Sequence, residues 1–202
     1  MSKTVRSTFL LAAFAAACLF ASCKSSPNSQ GSSIFGTGDQ TAQAAELVAQ
    51  ANQDLTKIKI LYDQNEGKRL DIKKAMEAND TETAKRIANE VEKLINDGAT
   101  FANDAIDKLQ KAQEMEINDD YREYLRLKEQ SLKLESDAFD NYRQAAKVLN
   151  ENFDPKDTVK RDKVKVDFKA FSDKYLDTME RARDYSYRAN ELAKEVAERE
   201  QN

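Results

Sequence analysis

The sequence predicts an all-α fold, an antiparallel up-down-up-down bundle of four long helices with coiled-coil-like packing, behind a disordered tether. Three observations predict it. Gly and Pro number only 5 and 2 in 202 residues, too few for a fold built on many tight turns. After Asp39 the apolar residues recur three and four positions apart, the spacing that lines one face of a helix. Short polar clusters of helix-capping type then break the pattern into four segments.

The first segment runs from about Thr41 to Ala78, with Val48, Ala51, Leu55, Ile58, Tyr62, Ile72 and Met76 in phase. Asn65, Gly67 and Arg69 weaken its middle and lead us to expect a kink there. The second, about Thr81 to Glu116, carries the densest stripe, including Ile87, Val91, Leu94, Ile95, Phe101, Ala105 and Leu109. It is therefore expected to be the most buried helix. Gly98 falls on that stripe, where a missing side chain would let a neighbouring helix approach closely.

The third segment, about Tyr121 to Asn150, repeats the pattern with Leu125, Leu132, Phe139, Tyr142, Ala146 and Leu149. The fourth, about Pro155 to Glu200, holds near-heptad phase through Val164, Phe168, Tyr175, Ala182, Ala189 and Val196, which implies coiled-coil-like packing.

The junctions carry stop and start chemistry. Asn79 and Asp80 precede Thr81, Asp119 and Asp120 precede Tyr121, and Asp154 precedes Pro155, which supplies N-cap acceptors and a proline at a first helical position. Met76–Asp80 and Met115–Asp119 nearly match 39 residues apart, through duplication or through convergence on good capping residues. Short connections make neighbouring helices antiparallel, in a bundle about 45 to 65 Å long at 1.5 Å per residue. The last helix is expected to overhang the others.

Residues 1–22 read as a secretory leader. Lys3 and Arg6 come first, then an apolar run from Phe9 to Ala21, shorter than the roughly 20 residues a membrane-spanning helix needs. The stretch Leu19-Phe20-Ala21-Ser22-Cys23 resembles the lipobox of bacterial lipoproteins, with Phe20 standing where that pattern usually has Leu. The resemblance covers the first 23 residues. It implies cleavage before Cys23, lipidation of Cys23 and a stable hold on a membrane through more than one acyl chain. Cys18 is a poorer candidate because the apolar run continues past it. Lys24, where an Asp would signal inner-membrane retention in the family, implies an outer-membrane address. Residues 23–39, rich in Ser and Gly, read as the tether between lipid and body, spanning roughly 20 to 25 Å. Residues 40–202 form the helical domain. More generally the chain resembles small helical-bundle lipoproteins of the bacterial envelope, which carries over no functional residue but Cys23.

Composition narrows the chemistry. Histidine is absent, which removes the commonest general base, the commonest zinc ligand and every Ser/His or Cys/His dyad. Both cysteines belong to the leader and its cleavage site, so the processed body has no free thiol for redox chemistry. The net charge of −4, less Lys3 and Arg6, leaves −6, which argues against nucleic acid as a partner. We expect no catalytic residues, no cofactor and no metal. Asp63-Gln64-Asn65-Glu66-Gly67 resembles a calcium loop only superficially, since its Gly comes one position early and a twelfth-position Glu is missing. A di-metal site between helices lacks its Glu-x-x-His motif. Lys156, Lys160, Arg161, Lys163, Lys165 and Lys169 form a basic cluster, but Asp157, Asp162 and Asp167 interleave with it, the pattern of a solvated helix face rather than of a site for anionic headgroups or glycans. Tyr121, Tyr124, Tyr185 and Tyr187 read as half-buried bundle residues, with a binding patch the alternative.

The expected function is that of a non-enzymatic, lipid-anchored envelope protein that acts through contacts with another protein. Alternatives are a surface-exposed adhesin or host-ligand binder, and a small apolar-ligand carrier or enzyme modulator.

Overall fold

The computed structural model describes residues 40–154 and 156–200; the leader, Cys23 and the tether lie outside them. Four helices follow one another: α1 (Thr41–Glu77), α2 (Thr81–Gln113), α3 (Asp119–Asn152) and α4 (Thr158–Glu200). No strand occurs among the described residues. Each helix packs mainly on its neighbour in sequence, α1 on α2, α2 on α3 and α3 on α4, as short connections require. The bundle is the all-α, up-down-up-down one that the periodicity predicts.

The turns show why the helices stop where they do. Asn79 takes up left-handed backbone, φ 55°, which Asn tolerates better than most residues. The amide of Asn79 then donates to the Met76 carbonyl and that of Asp80 to the Ala75 carbonyl, a Schellman ending that satisfies carbonyls α1 would otherwise leave bare. Asp80 goes on to cap α2, accepting from the Thr83 amide at 3.1 Å. Between α2 and α3 the cap is Asn118, whose side chain accepts from the Tyr121 amide at 2.7 Å. Asp119 and Asp120, expected to precede the helix, instead form its first turn, where negative charge suits the dipole. A single guanidinium closes this turn: Arg122 donates to the carbonyls of Gln113, Met115 and Ile117 at 3.2, 3.3 and 3.1 Å.

The expected start of α4 at Pro155 needs correction. Asp154 accepts from the Lys156 amide and Asp157 from the Lys160 amide, so a local turn comes first and Asp157 caps a helix that begins at Thr158. At the other end of α4, Arg199 reaches Asp120 at the start of α3.

Two apolar clusters fill the interior. One gathers Ile72, Val91, Tyr142, Leu149, Phe153, Phe168 and Tyr175 toward the α1–α2 turn. The other gathers Ala51, Ile58, Leu109, Ile117, Leu125 and Val196 toward the α2–α3 turn. In α4 the buried positions Phe168, Tyr175, Ala182, Ala189 and Val196 are spaced by sevens, the predicted heptad phase.

Two expectations fail on packing. The most buried helix is α3, with eleven buried residues against nine in α2. The reason is a second stripe, Leu127, Ser131, Ala138 and Ala145, buried beside the Leu125 stripe; its small residues admit α4, and the Ser131 hydroxyl donates to the Ala182 carbonyl at 2.8 Å. Gly98 is not what lets α1 approach α2, because a Cβ there would meet only Leu61 Cδ1 at 3.6 Å. At Gly67, the position of the expected kink, α1 runs without interruption from Thr41 to Glu77. Side chains on either side of the glycine anchor it, with Glu66 bonded to Arg69 and to the Tyr175 hydroxyl of α4, and Lys68 paired with Glu90 of α2.

Candidate functional site

Four carboxylates and one amide stand on or beside the apolar stripes, and the way each is satisfied defines the polar interior. Asp54 is buried and held by Lys57 at 2.9 Å and by Lys108 of α2. The Lys108 bond, against the pull of burial and with help from Lys57, holds its carboxyl below the usual range. Glu129 is also buried. Burial would raise it, but bonds from Lys133, Gln113 and Gln110, the two amides at 2.7 Å, outweigh that and hold it low. Glu66 accepts from the Tyr175 hydroxyl at 2.8 Å and from Arg69 at 3.0 Å. These groups tie pairs of helices together, α1 to α2, α2 to α3 and α1 to α4.

Asn65 is the exception. It is 1% exposed, and neither its Oδ1 nor its Nδ2 has a hydrogen-bond partner among the described residues. An unmet buried amide costs about 1 to 3 kcal/mol. It lines a cleft of about 30 Å³ between α1, α2 and α3, walled by Leu61, Tyr62, Leu94, Ile95, Leu132 and Phe139, with Gly98, Ala99 and Ala102 on the α2 side. Glu135 lines the same cleft. Burial pushes its carboxyl up, opposed by Lys128, by the Ser131 hydroxyl at 3.5 Å and by Arg183. The cleft lining therefore holds both an unmet amide and a carboxyl that burial pushes upward.

Beside it runs an aromatic chain. Tyr62 meets Phe139 edge-on at 5.9 Å, Phe139 meets Tyr175 at 6.0 Å, and Tyr175 meets Tyr142 at 5.3 Å. Burial above all, and for Tyr175 also Glu66, pushes both tyrosine hydroxyls upward.

The candidates that the sequence suggests do not assemble into a site. Asp63–Gly67 is helical throughout, so its carboxylates cannot wrap a cation as a loop would; Asp63 instead pairs with Lys59. Among the described residues no three His, Cys, Asp or Glu side chains cluster in a way that could hold a metal ion. The basic cluster on α4 is laced with its own partners: Lys160 with Asp157, Lys163 with Asp167, Lys169 with Asp173, and Lys165 with Asn79. Tyr121 is buried and stacks on half-buried Tyr124 at 6.3 Å, while Tyr185 lies beneath Arg188 and Tyr187 is exposed. Cys23 lies outside the described residues.

The cleft that holds Asn65 and Glu135 is absent from the candidates that the sequence suggests, though it leaves a signal there. Asn65 falls seven residues after Ile58 and seven before Ile72, and Glu135 falls three after Leu132 and four before Phe139. Both occupy apolar phase positions, where a polar residue marks either a buried network or a site.

No helix among the described residues is long and apolar enough to cross a membrane. The fold and cleft define the class, an all-α four-helix bundle with a largely apolar cleft at mid-length that also holds Asn65 and Glu135. No protein-family model, curated protein or solved structure matches the chain.

Proposed function

We propose that the protein is a non-enzymatic lipoprotein of the bacterial envelope, anchored through Cys23 to the outer membrane and acting through contacts with another protein. The observation that carries the reading is how the body begins. The amide of Gln40 donates to the Glu116 carbonyl at 3.3 Å, and the Glu116 amide donates back to the Gln40 side chain at 2.9 Å. The described chain therefore begins at the α2–α3 end of a long bundle. A Ser- and Gly-rich stretch behind an acylated cysteine is suited to presenting such a body to a partner.

The carrier alternative is less well supported, because about 30 Å³ is far below the roughly 300 Å³ at which drug-sized pockets begin. An enzymatic reading would need two titrating groups converging on a reacting atom. The test has two parts. Radiolabelled palmitate should enter the wild-type protein and not Cys23→Ala; equal labelling would refute the anchor. Protease added to intact cells, compared with cells whose outer membrane is opened, then separates the two modes of action. Cleavage on intact cells favours an adhesin or surface binder, and protection until opening favours an envelope scaffold.

A further inference from the structure

The geometry points to the cleft between α1, α2 and α3 as a binding site for a small uncharged molecule that carries an amide or hydroxyl group, held by Asn65. This goes beyond the proposed function and does not depend on it.

Asn65 presents a donor and an acceptor side by side, nine-tenths buried and more, with no partner for either among the described residues. A carboxamide answers both at once, and a hydroxyl can do the same in turn. The walls select against an anion. Leu61, Leu94, Leu132 and Phe139 are apolar, and no Lys or Arg lines the cleft, so an anion would lose its hydration without a counter-charge. Glu135 lies in the same lining and adds a second hydrogen-bonding group, its carboxyl pushed up by burial.

Size limits the ligand further. The cleft holds about 30 Å³, about two waters' worth of space, enough for a polar head of a few atoms whose remainder lies in the mouth beside Ser136 and Asp140. Gly98 keeps that room open on the α2 side. A Cβ there would make ordinary contact with Leu61 Cδ1 at 3.6 Å, and a side chain as long as Leu would extend past it into the cleft.

The test is a methyl-resolved NMR titration of the mature protein with propionamide and 1-propanol, run beside propionate and propylammonium. The expected result is saturable movement of the Leu61, Leu94 and Leu132 methyl signals with the two neutral probes at millimolar concentration. Affinity should fall at least tenfold in Asn65→Leu and vanish in Gly98→Leu. Should either variant lose the wild-type circular dichroism spectrum, intermolecular nuclear Overhauser contacts between propionamide and the Leu61 and Leu132 methyls of the unaltered protein decide instead, their presence supporting the site and their absence refuting it. The proposal is overturned by unmoved methyl signals, by an equal response to propionate or propylammonium, or by a folded Asn65→Leu that binds as well as the wild type.

Discussion

Single residues decide whether the polar interior strengthens or weakens the bundle. Asp54 and Glu129 show one outcome, buried carboxylates met by lysines and amides from other turns and other helices. Asn65 shows the other, an amide of similar burial with both atoms unmet. Replacing it with an apolar residue of similar volume removes the penalty without leaving a void. Asn65→Leu should therefore raise stability by about 1 to 2 kcal/mol, seen as a higher urea midpoint at unchanged slope; a drop would mean that the amide is satisfied in solution. Glu135 behaves as a pH-dependent version of the same problem. Its carboxyl is pushed up by burial, so the folded protein keeps a proton that the unfolded chain releases near pH 4.3. Stability from this group is present below that value and lost as pH rises through the folded pKa. Glu135→Gln should consequently melt higher than wild type at pH 7, with the gap closing below pH 4; a gap independent of pH would contradict the assignment.

At the scale of helices and turns, a helix start is legible in the sequence wherever a short side chain reaches an amide two or three residues on, as Asp80 does for Thr83. It is ambiguous where neighbouring acceptors compete. Asn118 wins over Asp119 and Asp120, and Asp157 over Asp154. The α2–α3 turn depends on Arg122, which no local pattern singles out, because its three carbonyl partners lie five to nine residues back. Arg122→Ala should cost about 2 kcal/mol, with three carbonyls returned to water or left unmet. Thermal unfolding would detect it, and a change under about 0.5 kcal/mol would put the turn's stability elsewhere. Gly67 makes the opposite prediction. It sits inside a continuous helix, and a Cβ there meets nothing within 4 Å. Gly67→Ala should stabilise by about 0.5 to 1 kcal/mol, whereas destabilisation would indicate that α1 bends there in solution.

Over the whole molecule the tyrosines set a limit at high pH. Tyr121 is pushed up to about 12 by burial and by Tyr124 beside it, and Tyr124, Tyr142 and Tyr175 are pushed up as well. Unfolded tyrosine ionises near pH 10. The folded state thus holds protons that the unfolded state has lost, and stability falls as pH rises from about 10 through 12. Urea midpoints at pH 8 and pH 11 should differ accordingly, and Tyr121→Phe should reduce the slope between them. A flat profile would mean that the hydroxyls reach solvent.

The sequence by itself determined the helices, their approximate limits and the stripe each turns inward, because burial of one face at a period of 3.6 residues is a local demand written into every turn. It also held the lipobox-like stretch that ends at Cys23. Only the tertiary structure decided which polar residues on those stripes find partners. Asp54 meets Lys108 across 54 positions, and Tyr175 meets Glu66 across 109. Asn65, in the same kind of position, meets neither and opens on a cleft. Periodicity reports which way a side chain points, and the packing of helices distant in sequence determines what stands opposite it.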